Sequence, residues 1–251
     1  MGLAGGLVLV AAVRPLVAAG CFYPPQGEGR VTAVIDARSF RLEDGREIRL
    51  AGIEQASSDK DREASGQDKT ASALAAIVAG REVTLRGEDD APDRYGRQSA
   101  FVFVGPSATP VQAQLLTQGE ALASGGVTDK DCVSVLAAAE AAARQSRQGI
   151  WSEPSAIKNA ESPGDILAGI GRFAVVEGKV LSVRQAGATT YLNFGRNWTR
   201  DFAVTISRRM LPGFEAAGMT VKSLENRRIR VRGWGEARGG PRIEALHAGA
   251  D

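Results

Sequence analysis

Histidine is almost absent from this chain of 251 residues, because His247 is the only one. A single histidine excludes a metal site built from several histidines, and it disfavours catalysis by a Ser-His-Asp triad. Aromatic residues are also scarce, at 6% against 43% hydrophobic residues, so the expected cores are aliphatic. No apolar run is long and unbroken enough to predict a membrane-spanning helix.

Cysteine occurs twice, as Cys21 and Cys132, and no C-x-x-C spacing indicates a metal or redox role. In an oxidising compartment the pair predicts one disulfide. Closing a loop of that length stabilises the folded state by about 4–5 kcal/mol in the chain-entropy model. The alternative is a lipid anchor on Cys21, which follows Ala18-Ala19-Gly20. Each use consumes Cys21, and we favour the disulfide because lipoprotein signals carry Leu where Ala18 stands.

The first 20 residues form an apolar stretch that Arg14 and Pro15 interrupt and that ends in small residues. This pattern predicts an export signal over residues 1–20, and therefore a periplasmic or envelope-associated protein. The charged start of such signals is missing, so Met1 is open to question as the true start. The alternative is an N-terminal core segment.

Residues 30–151 alternate between strand and helix patterns that predict a five-stranded barrel capped by helices. The expected strands are Arg30–Ile35, Ser39–Leu42, Glu47–Ile53, Glu82–Arg86 and Ser99–Val104. Helices are expected over Asp59–Ala79, from Pro110 onward, and over Asp129–Gln148, and Asp44-Gly45 marks a hairpin turn.

Residues 152–166 contain two prolines and no periodicity, and they are predicted to be a linker. A second unit follows over residues 167–251. Its expected strands are Phe173–Arg184, Thr189–Phe194, Asp201–Ile206, Arg228–Trp234 and Arg242–Ala245, with a helical insert over Arg208–Ala217. The fold class is therefore mainly β with α, a helix-capped barrel followed by a second small barrel of the oligonucleotide/oligosaccharide-binding (OB) type.

Charge is distributed unevenly between the two halves. Residues 21–166 hold 16 Lys and Arg against 22 Asp and Glu, a net of −6, whereas residues 167–251 hold 14 against 7, a net of +7. The basic half is suited to a polyanion such as nucleic acid. The alternative is that the two halves attract each other.

Three stretches of the first unit resemble the staphylococcal nuclease (thermonuclease) family. They are VTAVIDARSFRLEDGREIRLAGIEQ at residues 31–55, DRYGR at 93–97 and AEAAARQSRQGIW at 139–151. The resemblance covers about half of the chain and implies an OB-fold domain with calcium-dependent nuclease activity. Such a site needs two phosphate-binding arginines, calcium-binding carboxylates and a general-base glutamate.

Position by position, the resemblance assigns the catalytic roles to Arg49, Arg97 and Glu54. Asp36 and Glu54 fall on metal-ligand positions, whereas the second calcium-binding acid falls on Arg38. The general-base position falls on Ser57, which cannot replace a carboxylate base at neutral pH. Arg38 substitutes a positive charge for a negative one, so we expect calcium binding and nuclease activity to be impaired. The acids at positions 59, 61, 89, 90 and 93 are expected to be solvated, and the alternative is that they rebuild a cation site.

The retained arginines have two interpretations that the sequence leaves open. Arg38, Arg49 and Arg97 form a phosphate-binding pocket, or Arg49 pairs with Glu54 or Asp36 as a structural ion pair while Arg97 caps a loop. In the second unit, Arg228, Arg230 and Arg232 alternate along one strand face. With the possible stacking partners Trp198 and Trp234 they predict a nucleic-acid-binding surface, and a solvated arginine face is the alternative.

Three functions remain open. The first is an exported nuclease-like protein of impaired activity that binds nucleic acid or a similar polyanion. The second is a working phosphodiesterase with a rearranged cation site. The third is an envelope scaffold or protein-interaction module.

Overall fold

The N-terminal half of this computed structural model, which describes residues 20–56 and 66–248, is built around a closed barrel. In chain order its elements are β1 (Pro25–Asp36), β2 (Ser39–Leu42), β3 (Glu47–Leu50), β4 (Ile53–Gln55), α1 (Gly66–Val78), β5 (Glu82–Arg86), β6 (Arg97–Val104), α2 (Val111–Thr117), β7 (Ala121–Ala123) and α3 (Lys130–Ser146). The barrel order is β1-β2-β3-β6-β5, and β4 pairs separately with β7. Fully buried Phe40, Ile48 and Leu85 lie in the core, which is aliphatic apart from a few rings.

The predicted barrel and its helices are confirmed, with one division the pattern does not show. The run expected as one strand over Glu47–Ile53 is two strands, because the chain turns at Gly52 with a φ of 74°. Leu136 and Val127 pack where a Cβ of residue 52 would lie, so glycine suits this turn on two counts. The division places Glu54 on β4, outside the barrel. Of the helix expected over Asp59–Ala79, residues 59–65 lie outside the described part of the chain.

Helix α3 has the limits that its capping residues predict. The Asp129 carboxylate accepts a hydrogen bond from the Cys132 backbone N–H at 2.8 Å, as an N-cap does. The helix ends where Arg147 adopts a left-handed φ of 54°. Among the described residues, no helix is long and apolar enough to cross a membrane.

The C-terminal half forms a seven-stranded sheet. Its elements are β8 (Ile157–Asn159), α4 (Pro163–Leu167), β9 (Phe173–Lys179), β10 (Ser182–Ala186), β11 (Thr189–Asn193), β12 (Ala203–Ser207), α5 (Leu211–Ala216), β13 (Arg228–Arg238) and β14 (Gly240–Glu244). The order is β10-β11-β12-β14-β13-β9-β8, and only two residues separate β9 from β10. If β9 and β10 count as one bent strand, this repeats the order of the first barrel, including the parallel pairing of the third and fifth strands. A closed second barrel stays a prediction.

The predicted linker over residues 152–166 is wrong, because this segment is part of the fold. Strand β8 pairs in parallel with β9, and Pro163 begins α4. Just before it, Trp151 packs with Leu122 and Val175 in a small apolar cluster shared by the two halves. The segment has no periodicity because it adds only a three-residue strand and one short helix to existing surfaces.

Candidate functional site

Arg38, Arg49 and Glu54 come together where three elements meet. Arg38 lies in the turn between β1 and β2, Arg49 lies in β3, and Glu54 lies in β4. The Asp36 carboxylate accepts a hydrogen bond from the Arg38 backbone N–H at 2.9 Å, which shapes the turn. The Leu50 N–H donates to the Arg38 carbonyl at 2.8 Å and ties this turn to β3. Backbone hydrogen bonds therefore position the guanidinium groups of Arg38 and Arg49 next to each other.

Glu54 is the buried centre of this cluster, with 7% of its surface exposed. Its carboxylate accepts a hydrogen bond from Nη1 of Arg38 and another, at 3.1 Å, from Nη2 of Arg49. The side chains of Arg38 and Arg49 are 17% and 29% exposed. Burying a charge without a partner costs several kcal/mol, so one shared carboxylate stabilises both cations. The structure thus agrees with the ion-pair interpretation of Arg49.

Arg97 is held by Asp93 on the adjacent loop. The guanidinium donates from Nε at 3.0 Å and from Nη2 at 2.8 Å to one oxygen of the Asp93 carboxylate. The other oxygen accepts the backbone N–H groups of Tyr95 and Arg97. These hydrogen bonds, first of all those from the Arg97 side chain, lower the pKa of Asp93 to about 2. Arg97 therefore fixes the loop before β6 as well as contributing a cation.

The three arginines are close enough to affect one another. Burial and the neighbouring charge of Arg49, with a smaller effect of Arg97, lower the pKa of Arg38 to about 10. Burial and Arg97 also lower the pKa of Arg49. Both groups remain cations at neutral pH. The predicted phosphate-binding set of Arg38, Arg49 and Arg97 is thus one electrostatic cluster, balanced by Asp36, Glu54 and Asp93.

Ser39 is a further polar group beside this cluster that the sequence comparison does not single out. It is the cross-strand partner of Arg49, so the two side chains lie on the same face. Ser39 is 1% exposed, and its buried Oγ has no hydrogen-bond partner within the described part of the chain. The one sequence signal for Ser39 is its position opposite Arg49 in the predicted hairpin.

The described residues do not fit a calcium site. Calcium requires several oxygen ligands at once, and the described part of the chain contains no group of three or more His, Cys, Asp or Glu side chains that could hold a metal. The carboxylate of Glu54 is taken by two guanidinium groups, and that of Asp36 by the Arg38 backbone. The two carboxylates therefore have different partners, a backbone N–H for Asp36 and two guanidinium groups for Glu54. Ser57, Asp59 and Asp61 lie outside the described residues.

The predicted arginine row of the second unit lies on one face of β13, and its arginines pair with carboxylates. Arg228 and Arg230 both donate to Glu177 on the neighbouring strand β9, at 2.8 Å each. These two contacts lower the pKa of Glu177. The alternation along β13 is as predicted, and Glu177 neutralises part of the expected basic surface.

The assignment of Arg232 to a nucleic-acid surface requires correction, because its guanidinium joins the two halves of the chain. It donates to both oxygens of Glu140 on α3, at 2.9 and 3.1 Å, and to the Ala123 carbonyl at 2.9 Å. The Glu140 carboxylate, 3% exposed, also accepts the Ala123 backbone N–H. Glu54, Glu140 and Arg232 line one cavity of about 560 Å³ between the halves. The positive charge of Arg232 in the second unit therefore pairs with a negative charge of the first unit and links the two halves.

The two tryptophans predicted to stack on bases differ in their surroundings. Trp234, on β13, is 47% exposed and packs edge-on against Phe173, with 6.2 Å between the ring centroids. Trp198 lies in the loop between β11 and β12 and is 76% exposed. By the two-residue alternation Trp234 lies on the same face of β13 as Arg228, Arg230 and Arg232, whereas Trp198 lies on a separate loop.

The predicted disulfide is present and joins Cys21, before β1, to Cys132 in the first turn of α3. The two Cα atoms are 4.5 Å apart and 111 residues apart in sequence. Both sulfur atoms are nearly inaccessible, because Cys21 is 4% and Cys132 0% exposed. The bond uses the thiol that a lipid anchor would need.

Comparison with known proteins supports the family resemblance for part of the chain. No curated protein matches the chain. A family model, however, matches residues 47–153, which include Arg49, Glu54, Arg97 and the end of the N-terminal half. The model is described as staphylococcal nuclease homologue, and this chain therefore carries a domain of the staphylococcal nuclease family, preceded and followed by residues outside the match.

Proposed function

We propose that this chain is an exported member of the nuclease-like family that binds nucleic acid or a similar polyanion and has impaired nuclease activity. The observation that carries the proposal is the contact of Arg38 with Glu54. At this position a guanidinium of the protein itself occupies the carboxylate that a bound calcium ion would need. The domain thus keeps an anion-facing arginine cluster without the metal chemistry.

Charge supports this proposal. Replacing an acid by arginine changes the charge at that position from −1 to +1, a change of +2. A bound calcium ion would add the same charge. Arg38 and Arg49 together balance the charges of Glu54 and Asp36 permanently, and calcium would meet repulsion from the two arginines rather than attraction. Because no carboxylate stands at Ser57 to activate water, hydrolysis lacks its base as well as its cation.

Binding without turnover is what the remaining donors allow. Glu54 accepts one N–H from Arg38 and one from Arg49, whereas each guanidinium carries five N–H donors. Arg49 keeps 29% of its side chain exposed, so a phosphate oxygen has access to it.

Two features support export to an oxidising compartment. The Cys21–Cys132 disulfide is typical of proteins outside the reducing cytosol. The apolar residues that precede Cys21 have the length and small-residue ending of an export signal. We infer a periplasmic or envelope-associated location from the two together.

The test uses purified protein without its first 20 residues and denatured DNA, first with calcium and then with a chelator. We expect no calcium-dependent cleavage, and DNA binding that weakens as salt rises. Arg49→Gln should weaken binding, whereas the matched control Arg41→Gln, which removes an exposed arginine paired with Glu47, should not. Calcium-dependent cleavage that Arg49→Gln abolishes would overturn the proposal.

That outcome would instead establish the second candidate, a phosphodiesterase with a rearranged cation site. The observation in its favour is that Arg49, Arg97 and Glu54 stay within one cluster. Absence of DNA binding even at low salt would favour the third function, a scaffold or protein-interaction module.

A further inference from the structure

The loop between β11 and β12 presents the most exposed of the large hydrophobic side chains in the described part of the chain. This side chain is Trp198, which lies at the centre of the loop and is 76% exposed. Arg196 and Arg200 flank it at a spacing of two residues, and both are exposed. Exposing so much of an indole ring to water is unfavourable, so the ring is a candidate contact for a partner.

Hydrogen bonds within the loop hold its backbone in place. Asn197 donates its backbone N–H to the Asp201 carboxylate at 2.8 Å and accepts the backbone N–H groups of Arg200 and Asp201 on its carbonyl. Its side-chain oxygen accepts both the N–H and the hydroxyl of Thr199. Asp201 is the one acid of the loop, and its carboxylate accepts the Asn197 backbone N–H. With Arg196 and Arg200 against Asp201, the loop has a net charge of +1.

The turn between β13 and β14 packs against this loop and adds to its charge. A Cβ on Gly239 would lie 3.7 Å from the Trp198 carbonyl, so the two backbones run close together. Exposed Arg238 precedes this turn, and its carbonyl accepts a hydrogen bond from Nη2 of Arg242. The Arg242 guanidinium lies 5.9 Å from the ring centroid of Tyr191. Its buried Nε has no partner among the described residues.

We call this set the Trp198 surface, and it consists of Arg196, Trp198, Arg200, Arg238, Arg242 and Tyr191. It differs from the arginine row of β13 because the arginines of that row form ion pairs with carboxylates. Arg228 and Arg230 contact Glu177, and Arg232 contacts Glu140. Within the described residues, none of the four arginines of the Trp198 surface forms an ion pair.

We propose that the Trp198 surface binds single-stranded nucleic acid. This inference rests on the proposed function and identifies the part of the second unit that contacts the nucleic acid. Arginines pair with phosphate oxygens, and an exposed indole stacks on a base. A duplex keeps its bases stacked inside, whereas a single strand can turn a base outward onto Trp198. Arginines that form no ion pair among the described residues, together with an exposed ring on a fixed loop, fit a single strand better than a ligand that offers charge alone.

The test is a titration of the full mature protein with fluorescein-labelled oligothymidylate of about 16 nucleotides, the upper site size of one OB-type unit. Trp198→Ala should weaken binding about tenfold, and Trp198→Phe, which keeps a stacking ring, should restore most of that loss. Arg196→Gln with Arg200→Gln should lower the slope of log affinity against log salt by about 1.4, at about 0.7 per phosphate contact. The matched pair Arg30→Gln with Arg41→Gln removes two exposed, ion-paired arginines and should leave the slope unchanged.

The outcomes separate this inference from the proposal beneath it. Wild-type protein that does not bind the oligonucleotide at low salt overturns both. Binding that Arg49→Gln weakens but the Trp198 and Arg196/Arg200 variants do not leaves the proposed function standing and removes the Trp198 surface from it. Equal affinity for duplex and single strand, without quenching of tryptophan fluorescence, overturns the single-strand assignment. Unchanged melting temperatures of the variants verify that folding is intact.

Discussion

Glu54→Gln should reveal how strongly one carboxylate stabilises the arginine cluster. The substitution keeps the size of the side chain and one acceptor oxygen, but it removes the charge that Arg38 and Arg49 share. Removing one partner of a buried ion pair costs about 3–5 kcal/mol. Because both arginines keep part of their side chains in solvent, we expect the free energy of unfolding to fall by about 2–3 kcal/mol, below or at the low end of that range.

Thermal unfolding followed by circular dichroism, with the disulfide intact, measures this effect. For a chain of this size each kcal/mol lowers the melting temperature by about 2–4 °C, so Glu54→Gln should lower it by about 4–12 °C. Glu47→Gln is the matched control, because Glu47 pairs with Arg41 at the surface, where side chains are 32% and 50% exposed. It should cost about 0.5 kcal/mol or less.

Inorganic phosphate provides an independent readout of the same change. Once Glu54 is neutral, donors of Arg38 and Arg49 become available to an anion, so phosphate should raise the melting temperature of Glu54→Gln more than that of the wild type. A Glu54→Gln protein as stable as the wild type, with the same response to phosphate, would refute the view that Glu54 neutralises these arginines.

Three further predictions follow from the site and the disulfide. Arg38→Asp places three carboxylates at the site and should create calcium binding, seen as a calcium-dependent rise in melting temperature. Asp93 should titrate at about 2 in a pH series of NMR spectra; its stabilising effect is present above its ordinary pKa and is lost as the pH falls toward 2, and Arg97→Gln should move the midpoint back up. Cys132→Ser should lower the free energy of unfolding by about 4–5 kcal/mol, measured by denaturant unfolding.

Each of these has its own control. Arg41→Asp should create no calcium response, and a response in that variant would assign the effect to general surface charge. An Asp93 midpoint that Arg97→Gln leaves unchanged would contradict the hydrogen bonds between the two side chains. For the cysteine variant, wild type treated with a reductant should unfold at the same denaturant concentration as Cys132→Ser, and a large difference would assign the loss to the serine in the helix.

Much of the first unit was predictable from sequence because its signals are local. Strand alternation, the Asp44-Gly45 turn and the Asp129 cap each act over a few residues, and they predict the elements that the barrel contains. The family resemblance also predicts that Arg38 stands at a metal position, although the matched residues begin at position 47. The division at Gly52 was not predictable in the same way, since it depends on the packing of α3 against that turn.

The second unit shows where local patterns stop being sufficient. Alternation correctly predicts that Arg228, Arg230 and Arg232 share a strand face, yet it carries no information about what covers that face. Glu177 pairs with Arg228 and Arg230 from a neighbouring strand, and Glu140 pairs with Arg232 from the other half of the chain, 92 residues away in sequence. The basic surface that remains, around Trp198, combines loops that only the folded sheet brings together.

The sequence by itself was enough for the family resemblance and the barrel elements, and it predicted the disulfide and the change of an acid at position 38. These follow from residue identity and from spacing along the chain. Only the tertiary structure decided which carboxylate each arginine meets. An ion pair forms between groups that the fold brings within a few ångströms, whatever their separation in sequence, so Arg38 stands as the partner of Glu54 and Arg232 as the link between two units.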